Sequence, residues 1–186
     1  MDEKIKVLEE AAREILKGNI IHAKEKIQIG YPFTKVTSVS RSYTDKQKME
    51  QFKRDGFLDR YSGQKLLNPG LLKVFSHYMP QEFPYHAHWK MDACHNAYWQ
   101  FVPTVDHIYP LALGGADSEE NWATTSMLHN SIKNNWTLEQ LQWKLYEAGS
   151  YEAWDGLTGL FVELVEADPS LLEDAYIRKW YRLAGG

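Results

Sequence analysis

Between Val105 and Lys133 the segment VDHIYPLALGGADSEENWATTSMLHNSIK reads as strand, loop, strand and helix in fewer than thirty residues, an order few folds accommodate. Thr104 to Tyr109 is β-branched and aromatic, a short strand that carries Asp106 and His107. Pro110 closes it, and Gly114-Gly115 followed by Ala116-Asp117-Ser118 makes a loop. Asn121 to Thr125 is a second short strand, leading into a helix expected to begin near Ser126 and to run past Lys133. This order gathers Asp106, His107, Asn121 and Asn130 into one sequence-local cluster of carboxylate, imidazole and two carboxamides.

The pattern Asp106-His107-Ile108-x-Pro110, Gly114-Gly115, Asn121, then Asn130-x-x-Lys133 resembles the HNH endonucleases, built around a ββα-metal finger. Intervals of fifteen residues from Asp106 to Asn121 and nine from Asn121 to Asn130 fall within that family's range. The resemblance implies a nuclease that hydrolyses DNA phosphodiester bonds with a bound divalent cation. In it His107 is the general base and Asn121 holds the loop and orients that base. Asp106 and Asn130 are the metal ligands, and Lys133 pairs with a substrate phosphate. The chemistry of these side chains agrees. An imidazole with an ordinary pKa of about 6.5 accepts a proton at neutral pH. Oxygen ligands favour magnesium or manganese over zinc, and such an ion acts as a Lewis acid on phosphate and leaving oxygen. Lys133 lies one helical turn after Asn130, on the same face.

One geometric point runs against a simple pocket. Adjacent residues of a regular strand point to opposite faces, so Asp106 and His107 do not share one in flat β geometry. Either the strand twists strongly there, or base and metal flank the scissile phosphate from different directions.

Many HNH proteins also carry two Cys-x-x-Cys pairs, one before the finger and one at the start of its helix, that hold a structural zinc. The matching positions here are Asp59 and Ser62, then Ser126 and His129. The turn at Gly63 is kept without the thiols, so no structural zinc is expected there and packing must hold the finger. A second set, His86, His88, Cys94 and His95, has zinc-binding residue types at a spacing that fits no compact motif. These side chains are expected to be hydrogen-bonded structural groups or to line the cleft.

A net charge of −4 suits a nucleic-acid enzyme only when it is divided along the chain. From Lys35 to Lys65 there are eight Lys and Arg against four acids, a local +4. Lys46, Lys48, Lys53, Arg54 and Arg60 are the candidate phosphate contacts of this segment, with a solvated helix face carrying i,i+4 ion pairs as the alternative. From Leu138 to Tyr176 nine acids and one lysine leave −8, an end expected to face away from a polyanion. The single cysteine excludes an internal disulfide. The amino terminus has no apolar signal core and no run is long enough to span a membrane, so a cytoplasmic protein without a membrane partner is expected.

Helices flank the finger. Asp2 to about Ile29 is amphipathic, one helix or two, with Gly18 as the interruption. Thr44 or Asp45 reads as the N-cap of a helix through about Arg54, and Leu71 to Tyr78 as a short helix ended by Pro80. Thr137 with Gln140 makes a capping box for a helix ended by Gly149. Trp154 to Ala167 and Ser170 to Leu183 complete the set, and Tyr176, Trp180 and Tyr181 form an aromatic stripe expected in the core. The expected architecture is α+β and mostly helical, a ββα-metal finger embedded between N- and C-terminal helices. It is read as a single domain over 1–186, with a helical segment 1–55, a nuclease core 56–137 and a C-terminal helical segment 138–186. The alternative functions are a catalytically silent nucleic-acid-binding module, an RNA-directed nuclease, and a secreted toxin nuclease. Duplex DNA is the expected partner.

Overall fold

Gly18 takes a left-handed conformation, φ +80°, and divides the first helical run into α1 (Asp2–Leu16) and α2 (Ile20–Gly30). The computed structural model describes residues 2–37 and 40–185. The chain divides into two compact units, 1–37 and 38–186. In the first, α1 and α2 pack as a helical hairpin around Ala11 and Ala23, with Val7 against Gly30. The Lys26–Glu10 ion pair on its surface, at 2.7 Å, is solvated and contributes little.

The second unit holds α3 (Asp45–Arg54), α4 (Pro69–Tyr78), α5 (Ala97–Phe101), β1 (Pro103–His107), β2 (Trp122–Ser126), α6 (Met127–Lys133), α7 (Leu138–Leu141), α8 (Thr158–Ala167) and α9 (Ala175–Ala184). It is α+β and mostly helical, with one two-stranded antiparallel ribbon. Local chemistry sets most of the helix starts. Thr44 accepts from the Gln47 amide while the Gln47 side chain bonds back, a closed capping box on α3. Asn68 caps α4, with Pro69 at its first position, so this helix begins two residues before the apolar run at Leu71. Ser126 caps α6 and Thr137 caps α7 with Gln140 as its partner. Asp168 caps a 3₁₀ turn over Pro169–Glu173, and Asp174 caps α9, so the last expected helix is in fact two pieces.

Further expectations differ from the structure, and α8 begins at Thr158 instead of Trp154, after Leu157 takes φ +59°. α6 stops at Lys133, where Asn134 takes φ +47°. α7 ends at Leu141 instead of Gly149, because Gln142 is left-handed and the chain beyond it is held in irregular form by tertiary bonds. The Tyr146 amide donates to the Arg60 carbonyl, and Trp143 packs against the rings of Tyr61 and His129. α3 packs on both strands of the ribbon. Met49 and Phe52 of α3 enter a core shared with Phe57, Leu71, Val74, Val105, Trp122, Phe161, Val165, Leu171, Ile177 and Trp180. The aromatic stripe of α9 therefore packs inward, as expected. A second apolar cluster joins Leu72 of α4 to Cys94, Ala97, Tyr98 and Val102. Among the described residues no helix is long and apolar enough to cross a membrane.

Candidate active site

The ribbon pairs Val105 with Thr124, Asp106 with Ala123 and His107 with Trp122, and its two faces meet different helices. On one face Thr124 donates its amide to Asp55 and its hydroxyl to the Gln51 carbonyl of α3. On the other, Asp106 meets Lys133 of α6. Asp106 and His107 thus engage separate sets of partners, as strand alternation requires.

His107 is buried, 2% exposed. Its Nε2 lies 2.8 Å from Oδ1 of Asp117 in the loop between the strands. A carboxylate only accepts, so Nε2 carries the proton of this bond. Asp117 is itself fixed by the Trp122 indole N–H, 3.0 Å from Oδ1, and by the Ser42 amide, 2.7 Å from Oδ2. Burial pushes the Asp117 carboxyl up, but the His107 ring, the Ser42 amide and the Trp122 indole more than offset it, and the group titrates below its ordinary value. Nδ1 of His107 is buried and has no hydrogen-bond partner among the described residues. The Tyr43 ring stands beside it, 6.4 Å between centroids, and meets Trp122 edge-on at 5.5 Å.

Asn121 clasps the loop that carries Asp117. Its Oδ1 accepts from the Tyr109 amide at 2.8 Å, and its Nδ2 donates to the carbonyls of Tyr109 and Ala116 at 2.9 and 2.8 Å. Gly115 is required beneath this clasp, since a Cβ there would lie 2.1 Å from the Tyr109 carbonyl oxygen. Asn130 is half-buried on α6.

Lys133, expected at a substrate phosphate, is fully buried, 0% exposed. Its ammonium lies 2.8 Å from Oδ2 of Asp106 and donates to the His107 carbonyl at 2.7 Å. The Tyr61 hydroxyl donates to the same Asp106 oxygen at 2.8 Å. Burial first, and the Asp106 charge second, raise the Tyr61 hydroxyl above its ordinary value and keep it a donor. Lys133 in this arrangement is an internal counter-ion, not an exposed phosphate contact. Among the described residues no three His, Cys, Asp or Glu side chains assemble as a metal set. As they stand, Asp106 and Asn130 do not fit magnesium or manganese: the carboxylate has its charge met by an ammonium that a dication would have to displace.

The basic segment divides in two. Lys46, Lys48, Lys53 and Arg54 lie on α3. There Lys46 stands 3.8 Å from Glu50, Lys48 pairs with Asp45 at 2.8 Å, and Arg54 pairs with Glu119 at 2.9 Å. Lys53 lies 5.5 Å from the centre of the Tyr151 ring. Arg60 is drawn inward, 2.7 Å from the buried Asp55 carboxylate and bonded to the Tyr146 carbonyl, so it serves the fold.

At the positions matched to zinc ligands, Asp59 is wholly buried and binds the end of β2 and the start of α6. Its Oδ1 accepts from the Tyr61 amide at 2.9 Å and the Thr125 hydroxyl at 3.1 Å. Its Oδ2 accepts from the Ser126 amide at 2.9 Å and from His129 Nδ1 at 2.7 Å. The other cluster of zinc-type residues is dispersed. Cys94 lies in the second core, His95 stacks on Phe83 at 4.1 Å between centroids, and His86 accepts from the His88 amide.

Sequence reading missed Asp117 and Tyr61. Asp117 lies two residues past Gly115, in a stretch whose composition reads as loop; a carboxylate so placed beside a histidine-bearing strand is the available signal. Nothing local marks Tyr61, which meets Asp106 across forty-five residues. No family model matches the chain, no curated protein matches its sequence, and no solved structure matches its fold.

Proposed function

We propose that this protein is an HNH-like nuclease that hydrolyses phosphodiester bonds of duplex DNA with His107 as general base. The observation that carries the reading is the state of the imidazole. Its Nε2 is bound to a carboxylate, and its Nδ1 is a buried lone pair without a donor, inside a strand-loop-strand-helix that bears the Asp-His, Gly-Gly, Asn and Asn-x-x-Lys pattern. A buried acceptor left unpaired costs about 1–3 kcal/mol, a cost that a proton-accepting role explains. In the reaction Nδ1 takes a proton from water as that water attacks phosphorus, the P–O bond to the departing sugar oxygen breaks and that oxygen takes a proton from solvent, while Asn121 keeps the loop closed. Lys46, Lys48, Lys53 and Arg54 supply the phosphate attraction from α3.

A second reading, a catalytically silent nucleic-acid-binding module, is favoured by the burial of His107 and by the Asp106–Lys133 pair. Incubating purified protein with plasmid DNA and with RNA, with magnesium or with chelator, separates the two. The nuclease reading expects cleavage of plasmid and a fall of about 10²–10⁴ in rate for His107→Ala, the usual loss for a general base. Binding without cleavage under every condition overturns it in favour of the silent module. Cleavage of RNA alone would reassign the substrate. Cleavage unaffected by exhaustive chelation would remove the dication expected from the resemblance.

A further inference from the structure

The carboxylate that governs His107 is not its chain neighbour Asp106 but Asp117, ten residues away. Asp106 is bound elsewhere, by Tyr61 and Lys133. Asp117 accepts three bonds at once. His107 Nε2 and Trp122 Nε1 share Oδ1, and the Ser42 amide holds Oδ2, so neither rotation nor withdrawal is free. The Asn121 clasp and the close approach at Gly115 fix the backbone on which Asp117 sits. Every group here that contacts Asp117 donates. A neutral imidazole beside such an oriented acceptor keeps its proton on Nε2 and leaves the lone pair on the buried Nδ1, the one nitrogen of this ring that the described residues leave unpartnered.

We propose that Asp117 is the positioning residue of this site, holding His107 as the Nε2–H tautomer with Nδ1 as its proton-accepting atom. The proposal rests on the nuclease reading. Without Asp117 the imidazole loses both its orientation and its tautomer preference, and the chemical step suffers while substrate binding does not. Loop position alone would predict the opposite pattern, a change in stability or binding with the ring chemistry unaltered.

The test uses uniformly ¹⁵N-labelled full chain at about pH 8, above the ordinary imidazole range. Long-range ¹H–¹⁵N correlation assigns the His107 tautomer, with His107→Gln identifying its signals. The wild type is expected to show the Nε2–H pattern alone, and Asp117→Ala a mixture of tautomers. In the plasmid assay Asp117→Ala is expected to lower kcat by about 10²-fold or more at unchanged KM, and Asp117→Glu to recover part of the loss. A wild-type Nδ1–H pattern overturns the proposal whether or not any variant folds. So does a wild-type pattern that persists in a folded Asp117→Ala protein, or a kcat equal to that of the wild type. An inactive wild type with the Nε2–H pattern removes the nuclease reading and, with it, the positioning role in that reaction. An active wild type with an indifferent Asp117→Ala variant removes the proposal alone.

Discussion

Replacing Asp59 by asparagine is a severe isosteric change for this fold. The buried carboxylate receives two donors on each oxygen: the Tyr61 amide and Thr125 hydroxyl on one, the Ser126 amide and His129 on the other. An asparagine keeps one acceptor and turns an NH₂ toward the other pair, where the hydroxyl or the imidazole can reverse its role but the backbone amide cannot, so one amide is orphaned whichever way the carboxamide is placed. The orphaned amide at about 1–3 kcal/mol and the loss of a charge-assisted bond at about 1.5–3 kcal/mol sum to roughly 2.5–6 kcal/mol. The middle of that range, about 3–5 kcal/mol, is the loss to expect. For a chain of this length about 3–5 kcal/mol lowers Tm by roughly 6–20 °C. The carboxyl also carries a pH signature. Burial raises it, but the Ser126 amide, the His129 ring and the Tyr61 amide outweigh burial, and it titrates below its ordinary value. A group depressed in this way stabilises the fold fully above its unfolded value of about 3.9, and that stability is lost as pH falls through the folded value. Urea unfolding followed by circular dichroism across the acid range measures both effects. Asp59→Asn should unfold at lower urea at neutral pH, and its stability should fall less steeply than that of the wild type below about pH 4. A loss under about 1 kcal/mol with an unchanged acid limb would refute the assignment of Asp59 as the clasp of the finger.

Two other perturbations read the same core. Lys133→Met strands the Asp106 carboxylate with Tyr61 alone and should cost about 3–5 kcal/mol, while adding Asp106→Leu should recover much of it; a double-mutant cycle in urea showing no coupling would mean the ammonium does not sit there. Gly115→Ala drives a Cβ against the Tyr109 carbonyl, 2.1 Å away, and should cost about 1–3 kcal/mol, with a measured change near zero removing the close approach.

What could be read from the chain was mostly what is settled within a few residues. Thr44 with Gln47, and Thr137 with Gln140, announce helix starts because each cap bonds three positions away. The ribbon and its helix were legible because β-branched runs, a proline, a glycine pair and a capping serine follow in order. The failures lie where distant residues decide. Trp143 to Gly149 has helical composition yet leaves the helix, because Tyr146 and Trp143 find better partners at Arg60, Tyr61 and His129. Lys133 looks like a surface residue until Asp106, Tyr61 and the His107 carbonyl enclose it. The five-residue helix α5 carries no periodicity long enough to see.

The bonds that Asp59 makes to Thr125, Ser126 and His129 span sixty-six to seventy positions, and that of Asp55 to Thr124 spans sixty-nine. A finger clasped by a metal through nearby ligands can be excised and still fold, because its closure is local. The ribbon and α6 are instead closed by residues from a remote part of the chain, so their ordering entropy is offset by contacts outside the segment itself. Cut out as residues 103–137, it would keep the donors of Thr124, Ser126 and His129 and lose every carboxylate that receives them. The strand-loop-strand-helix is consequently not a portable module: moved to another scaffold without Asp55 and Asp59, it would leave behind the carboxylates that hold it.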